Sequence, residues 1–392
     1  MTYTIAHLDT ACRLLESYNG QLPFAAFLKQ YFSSNKKHGS RDRKQIGHLC
    51  YAYFRLGHAF RQLPSQERVI LGLFLCAEGP DNMLAALRPE WNGFAGTGVI
   101  EKLQLAGYHA GDLTIFPWLD QLGGDIDGFS FSTSHLYQPH LYARIRPGKD
   151  RKVMDKLMML GTKFERIGKS AIQLPNGFKL EEHFLVNTDL VVQDLSSQEV
   201  AGPMTMAAGI AQPVVSGRLK AWDCCAASGG KSILAVDTLG NIDLTVTDIR
   251  TSILANLKKR FSEAGIRNYH QFEADMATYD GAKKNFDLVI ADVPCSGSGT
   301  WGRTPEQLVY FDPGSIEQFS SLQKRIAVNA SRGLKPGGCL LYITCSAFRD
   351  ENEGVIDWLT ANTALKLQSK GYLKGYEHRA DTMFAAVLCK PV

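Results

Sequence analysis

Two cysteines in this 392-residue chain each follow an apolar run and sit among small polar residues: Cys295 in FDLVIADVPCSGSG and Cys345 in GGCLLYITCS. Runs of this kind are buried strands, so both thiols stand at the carboxyl edges of strands, where ligands of open α/β sheets bind. Asp292 precedes Cys295 by three residues. A thiol, a carboxyl group and a methyl donor in one cleft suit a specific reaction. Carbon-5 of cytosine is a feeble nucleophile until a thiolate adds to carbon-6 and turns the ring into an enamine. A carboxyl group holding the exocyclic amine and ring nitrogen favours that addition. Position alone does not choose between Cys295 and Cys345 as nucleophile.

A second constellation lies upstream. DCCAASGGKS follows an apolar run and places Gly229 and Gly230 where a backbone can approach a ligand at a helix start. Its tail looks like a phosphate-binding loop, but Cys225 stands where that loop needs glycine, which argues against a nucleotide triphosphatase. Asp248 ends the next strand, where an acid can hold ribose hydroxyls, and Asp275 and Asp292 end the two after it. A post-strand aspartate is more often a turn residue or a helix cap. Several at one sheet edge favour an adenosyl cofactor, S-adenosyl-L-methionine.

The elements that must position these residues alternate from about residue 218: KAWDCC, IDLTVTD, YHQFEAD, FDLVIADV, GGCLLYITC and MFAAVLC read as strands with helices between them. That alternation predicts an α/β fold, a Rossmann-like doubly wound parallel sheet covered on both faces. Before it, LYARIRP, KDRKVMDKLMMLG, FERIG and AIQLPNG predict a small α+β subdomain, and DQLGGDIDGFSFSTSHLYQPH a linker or loop. Residues 1–125 read as helical. Expected domains are thus 1–125, 135–190 and 191–392.

At this point the chain resembles the Sun family of RNA cytosine-5 methyltransferases, of the bacterial ribosomal-RNA type. VQDLSSQEVA (192–201), DCCAASGGKS, VTDIR, FDLVIADVPCSGSG, KPGGCLLYITCS, DENE (350–353) and DTMFAAVLCK carry the resemblance in order over about 190–392. It implies a class-I methyltransferase fold, an RNA-binding role for 135–190 and, more loosely, a helical extension over the first 120 residues. It implies that Cys225, Ala226, Ala227, Ser228, Gly229, Gly230 and Lys231 line the methionine end of the cofactor, with Asp248 at the ribose and Asp275 near the adenine. Asp292 would lie between cofactor and base, Cys345 would attack, and Cys295 would assist release. DNA cytosine-5 methyltransferases use a Pro-Cys thiol, which would favour Cys295 instead. One departure is Ser228, where the family usually has proline; serine can take the same turn without the fixed dihedral, so somewhat weaker preorganisation is expected.

Composition narrows the rest. Hydrophobic content of 45% with 21% charged residues is that of a soluble globular chain, and no apolar run is long enough to span a membrane. The first residues lack a secretory pattern, so the cytoplasm is expected. The nine cysteines are odd in number with no C-x-x-C pair, and Cys50, Cys76 and Cys339 read as small core residues; no metal site is expected. Net charge is only +4, but Lys29, Lys36, Lys37, Arg41, Arg43, Lys44, Arg55, Arg61 and Arg68 crowd one stretch with Tyr31, Phe32, Tyr51, Tyr53 and Phe54. That pattern fits either an RNA-contacting surface or a solvated helix face over an aromatic core. Ribosomal RNA is the favoured partner, transfer RNA the second, and a monomer is assumed. Competing readings are a class-I methyltransferase acting on a small molecule or on nitrogen, and a non-catalytic RNA-binding protein on this fold.

Overall fold

The structure, a computed structural model, describes residues 2–211, 217–280 and 286–392. The chain forms two compact units, one of Met1–Asp120, Asp127–Gln138 and Trp301–Asp312, the other of Gln121–Ile126, Pro139–Thr300 and Pro313–Val392.

The first unit is helical. Helices Thr2–Ser17, Phe24–Ser34, Ser40–Arg55 and Ser65–Cys76 bring Leu8, Leu15, Phe24, Leu28, Leu49, Phe54 and Leu73 into one core at helical spacing. The segment Trp301–Asp312, expected in the catalytic domain, packs here instead. Glu306 Oε1 accepts from the Phe24 backbone N–H at 3.0 Å, and the Tyr310 ring meets Tyr18 edge-on at 5.2 Å. Part of the expected linker is also ordered, as helix Gly128–Ser134, whose start is capped where Asp127 accepts from the Ser130 N–H. The basic stretch divides. Arg55 and Arg68 are buried and donate to backbone carbonyls of His135 and Tyr137, and of Ala59 and Gly57, so they are structural. Lys29, Lys36, Lys37, Arg41, Arg43, Lys44 and Arg61 are exposed, while Phe32 and Phe54 are core.

In the second unit β1 (Leu141–Ile145), β2 (Glu165–Ile167), β3 (Ala171–Leu174) and β4 (Leu190–Val192) form an antiparallel sheet in the order β2-β3-β1-β4. Val153 and Leu157 of helix Asp150–Met159 join its core. This sheet, expected from the sequence as a small subdomain, keeps its own core and lies in the same compact unit as the larger sheet. Arg144 and Arg146 of the β1 segment both bind Asp237, at 2.7 and 2.6 Å, and Asp237 lies in helix Gly230–Leu239.

The larger sheet contains β5 (Leu219–Asp223), β6 (Ile242–Asp248), β7 (Tyr269–Glu273), β8 (Phe286–Asp292), β9 (Leu334–Thr344), β10 (Lys366–Lys374) and β11 (Thr382–Cys389), ordered β10-β11-β9-β8-β5-β6-β7. Strands β9, β8, β5, β6 and β7 are parallel. The expected doubly wound parallel sheet carries an antiparallel edge, where β11 runs antiparallel to both β9 and β10. Both faces are covered, as the uninterrupted apolar strands require. Leu288 and Ile290 point into one core cluster, Val289 and Ala291 into the other. Helix Ser315–Arg332 covers the second face with Ile326, Ala327 and Ala330. Strand order reverses between β5 and β8, which places the ligand crevice at their carboxyl ends.

Cys339 is not a simple core thiol. It faces Cys389 across the β9–β11 pair and is disulfide-bonded to it. The two lie 50 residues apart in sequence, and only the register of an antiparallel pair brings their side chains together. Among the described residues no helix is long and apolar enough to cross a membrane.

Candidate active site

The carboxyl ends of β5, β6, β7 and β8 surround a cavity of about 860 Å³ whose wall includes Cys225, Ala227, Asp248, Asp275, Asp292, Met276, Leu322 and Ile326. Its floor is the turn after β5. Ala227 and Gly229 both take positive φ, +45° and +84°. Glycine is required at 229 for space as well as for dihedral, since a Cβ there would come within 2.7 Å of the Phe261 ring. The turn is pinned from the side of β6: the Ala226 N–H donates to the Thr247 carbonyl, and the Ala227 N–H donates to Asp248 Oδ2 at 3.0 Å.

The residues expected at the methionine end therefore separate. Cys225 and Ala227 reach the cavity wall; Ala226 is buried beneath it; Gly229 and Gly230 begin helix Gly230–Leu239. Lys231 turns toward the reacting edge, with Nζ 3.2 Å from Asp292 and 2.8 Å from Ser197 Oγ. Ser228 is held by Arg260, whose Nη1 donates to its carbonyl and its hydroxyl at 3.0 and 2.7 Å. That clamp supplies a constraint which the proline of the family pattern would supply through its ring.

Asp248 and Asp275 are placed differently from each other. Asp248 is buried and accepts from the N–H groups of Ala227 and Arg250, with its carboxyl at the cavity wall. Asp275 lies two residues beyond β7 and accepts from the Ala277 N–H. The cavity thus offers one acid beside the β6 end, a second beyond β7, and apolar side chains facing both, a donor set that fits an adenosine with a ribose diol. Asp248→Ala is expected to weaken S-adenosylmethionine binding about tenfold to a hundredfold, because it removes charge-assisted hydrogen bonds of about 1.5–3 kcal/mol and unpins the Ala227 turn. Unchanged affinity in a calorimetric titration would sink the ribose assignment.

Sequence reasoning passed over Asp223, the last residue of β5. It is fully buried and accepts from Ser232 Oγ at 2.6 Å. Burial, with Asp292 nearby, raises its pKa from an ordinary 3.8 to about 7. A raised folded-state value means that the protonated form is favoured in the fold. Its stabilising contribution is complete below about pH 4 and is lost as pH rises through about 7. Asp223→Asn should remove this dependence, so its stability relative to the wild type should climb between about pH 4 and about pH 7 and then level off. Denaturant unfolding at several pH values checks this; parallel curves would show that Asp223 does not titrate in that window.

The two cysteines meet at the next edge. Cys295 Sγ lies 3.3 Å from Cys345 Sγ, although the residues are 50 apart in sequence. The Gly299 N–H donates to the Cys345 carbonyl at 2.9 Å, tying the turn after β8 to the turn after β9. The contact with Cys345, followed by burial, pushes the Cys295 thiol well above its usual range. Asp292, the last residue of β8, lines the cavity three residues before Cys295. Among the described residues no group of three or more His, Cys, Asp or Glu could hold a metal ion.

Comparison with known proteins agrees with this geometry. The family model described as "16S rRNA methyltransferase RsmB/F" matches residues 217–385. Ribosomal RNA small subunit methyltransferase B of Xanthomonas campestris pv. campestris is 30% identical over 219 residues, 52% of this chain and 48% of that protein. The chain spans about half the length of the curated relatives it matches. Among solved structures, that of PH0851 superposes with a TM-score of 0.67 at 17% identity, over 98% of each chain. NSun6 from Pyrococcus horikoshii gives 0.58 at 14% identity, over 70% of this chain and 97% of that one. At such identities these two likenesses show the fold alone, a class-I methyltransferase fold. The family match is more specific: residues 217–385, which carry most of the sheet that builds this site, are similar to the methyltransferase family described as RsmB/F.

Proposed function

We propose that the protein transfers a methyl group from S-adenosylmethionine to carbon-5 of a cytosine in RNA, with ribosomal RNA favoured over transfer RNA, through a covalent bond between Cys345 and the base. The observation that carries the reading is the thiol pair at 3.3 Å, with Cys295 following Asp292, Val293 and Pro294 of the wall of a cavity whose acids suit adenosine. A methyltransferase acting on nitrogen or on a small molecule has no use for two apposed thiols. The relatives named as small-subunit ribosomal RNA methyltransferases support an RNA substrate, and the NSun6 structure, which holds the S-adenosylmethionine analogue SFG, supports the cofactor.

When bound, S-adenosylmethionine supplies an electrophilic methyl group. The chain's own residues do the rest. Cys345 sulfur forms a bond to carbon-6 of a base taken out of its stack, and the ring's π electrons shift to make carbon-5 nucleophilic. Asp292, oriented by Lys231 at 3.2 Å, holds the exocyclic amine and ring nitrogen. After methyl transfer the carbon-5 proton passes to a base, either the Cys295 thiolate or a neighbouring group that Cys295 positions; the electrons of that C–H bond re-form the ring double bond and expel Cys345 as thiolate, 3.3 Å from Cys295. Incubating cellular RNA with the protein and labelled cofactor, then digesting to nucleosides, tests the reading. Labelled 5-methylcytidine is expected; a different labelled product, or none, overturns it.

The exposed cations of the first unit have a matching role in this reading, as phosphate contacts. Neutralising Lys36, Lys37, Arg41 and Arg43 together should weaken RNA binding and flatten its salt dependence, while leaving cofactor affinity unchanged. Equal salt slopes for variant and wild type would make this a solvated helix face.

A further inference from the structure

Glu351 has no solvent exposure and touches neither the cavity nor a sulfur, yet it joins the two loops that carry the thiols. Its Oε2 accepts from the Ser296 backbone N–H at 2.9 Å, next to Cys295, and from Gln323 Nε2 at 2.9 Å. Its Oε1 accepts from Ser346 Oγ at 2.7 Å, next to Cys345. Gln323 Nε2 also donates to the Pro294 carbonyl at 3.0 Å, so helix Ser315–Arg332 grips the same loop. The contact is closed on its far side by hydroxyls: Ser346 Oγ lies 3.2 Å from both Ser296 Oγ and Ser298 Oγ. Ser298 Oγ in turn accepts from the Ala347 N–H at 2.8 Å. Glu351 itself is anchored through its carbonyl, which accepts from Tyr342 Oη at 2.7 Å.

We infer that Glu351 is the positioning residue of the thiol pair: its carboxyl group clasps the Cys295 loop to the Cys345 loop and so sets the distance between the two sulfurs. The inference rests on the covalent reading proposed above and extends it to a residue outside the site. Physical chemistry favours a carboxyl group for the task. The donors converging on it are an amide N–H, a carboxamide and a hydroxyl, none of them a cation, and a fully buried carboxyl group is costly unless such donors satisfy it. A single side chain with two acceptor oxygens can hold two loops at once, which an apolar residue of equal volume cannot. The two serine motifs, PCSGS and TCS, find a reason here beyond their cysteines, since their hydroxyls and one amide complete the clasp. Displacing a reacting group by about 1 Å costs on the order of a hundredfold in rate, so a loosened pair should bind its ligands and fail to turn over.

The test compares Glu351→Ala, Glu351→Gln and Ser346→Ala in the full chain. Three quantities are read: kcat and RNA KM for 5-methylcytidine formation; cofactor affinity by calorimetry; and the rate at which Cys295 and Cys345 form a disulfide with one equivalent of diamide, followed by mass spectrometry. In that last reaction the two thiols give two electrons and two protons to the diamide N=N bond. Glu351→Ala should lower kcat about a hundredfold, leave RNA KM and cofactor affinity within about threefold, and slow disulfide formation at least tenfold. Glu351→Gln keeps one acceptor oxygen and nearly the same shape, and should recover at least a tenth of wild-type kcat. If Glu351→Ala does not fold, Ser346→Ala, which removes one donor, should still slow disulfide formation severalfold. Disulfide formation at the wild-type rate in Glu351→Ala or Ser346→Ala would overturn the inference, as would kcat and cofactor affinity falling together. If the wild type makes no 5-methylcytidine, the covalent reading fails, while the thiol measurement still decides the clasp.

Discussion

Cys345→Ala is expected to lose activity by at least about a thousandfold and to form no covalent complex with RNA, whereas Cys295→Ala should turn over poorly and accumulate one. The two thiols lie 3.3 Å apart, so both can reach one base, and distance does not separate their roles. The resemblance to the Sun family divides them, with Cys345 attacking and Cys295 assisting release. Contact with Cys345 and burial raise the Cys295 thiol well above its usual range, which disfavours it as the attacking thiolate. Removing Cys345 then removes the nucleophile. Removing Cys295 leaves addition to carbon-6 possible but takes away the group that assists release, and the adduct should survive denaturing electrophoresis. Neither substitution should alter cofactor affinity, because neither sulfur belongs to the cavity wall. An adduct with Cys345→Ala and none with Cys295→Ala would reverse the assignment.

Gly299→Ala should be nearly as damaging to turnover, although it removes no functional group. A Cβ at 299 would sit 2.0 Å from the Thr382 carbonyl oxygen and 3.0 Å from that of Cys345. Both obstacles are backbone, one at the start of β11 and the other in the nucleophile's own turn, so neither can rotate away. The Gly299 N–H also donates to the Cys345 carbonyl at 2.9 Å, and any shift that relieves the clash breaks that bond. Overpacking of this kind costs about 3 kcal/mol, and the accompanying displacement of Cys345 should lower kcat on the order of a hundredfold. Urea unfolding and nucleoside assay together check this. Wild-type stability with wild-type turnover would show that the β11 start yields more readily than its place in the sheet implies.

The unit that carries the thiols was largely legible from pattern. Apolar runs such as FDLVIADV and GGCLLYITC are buried on both faces, and their lengths and the polar turns after them mark strands of a covered sheet. Because side chains beyond parallel strands converge at one edge, Asp248, Asp275, Asp292 and Cys295 could be grouped before any coordinates. Strand β10, LKLQSKGYLK with its flanking residue, has no such run. Its residues are mostly exposed or half-buried, since it is an edge strand held by pairing with β11. The direction of β11 was equally hidden, because an apolar strand reads the same whether it runs parallel or antiparallel to its neighbour.

What the sequence by itself determined is the chemistry available: which side chains stand at strand ends, in what order, and with which small residues around them. Those depend on local periodicity and on residue type, both of which a linear chain displays. What only the tertiary structure decided is which of these groups touch. Cys339 and Cys389 are joined by the register of β9 and β11, and Cys295 and Cys345 by a turn-to-turn hydrogen bond. Glu351 meets Ser296 across 55 positions of chain. Arg55 and Arg68, which read as part of a basic surface, are interior because backbone carbonyls from distant turns happen to need donors there. Contacts of this kind follow from packing between elements far apart in sequence, and no periodicity along the chain encodes them.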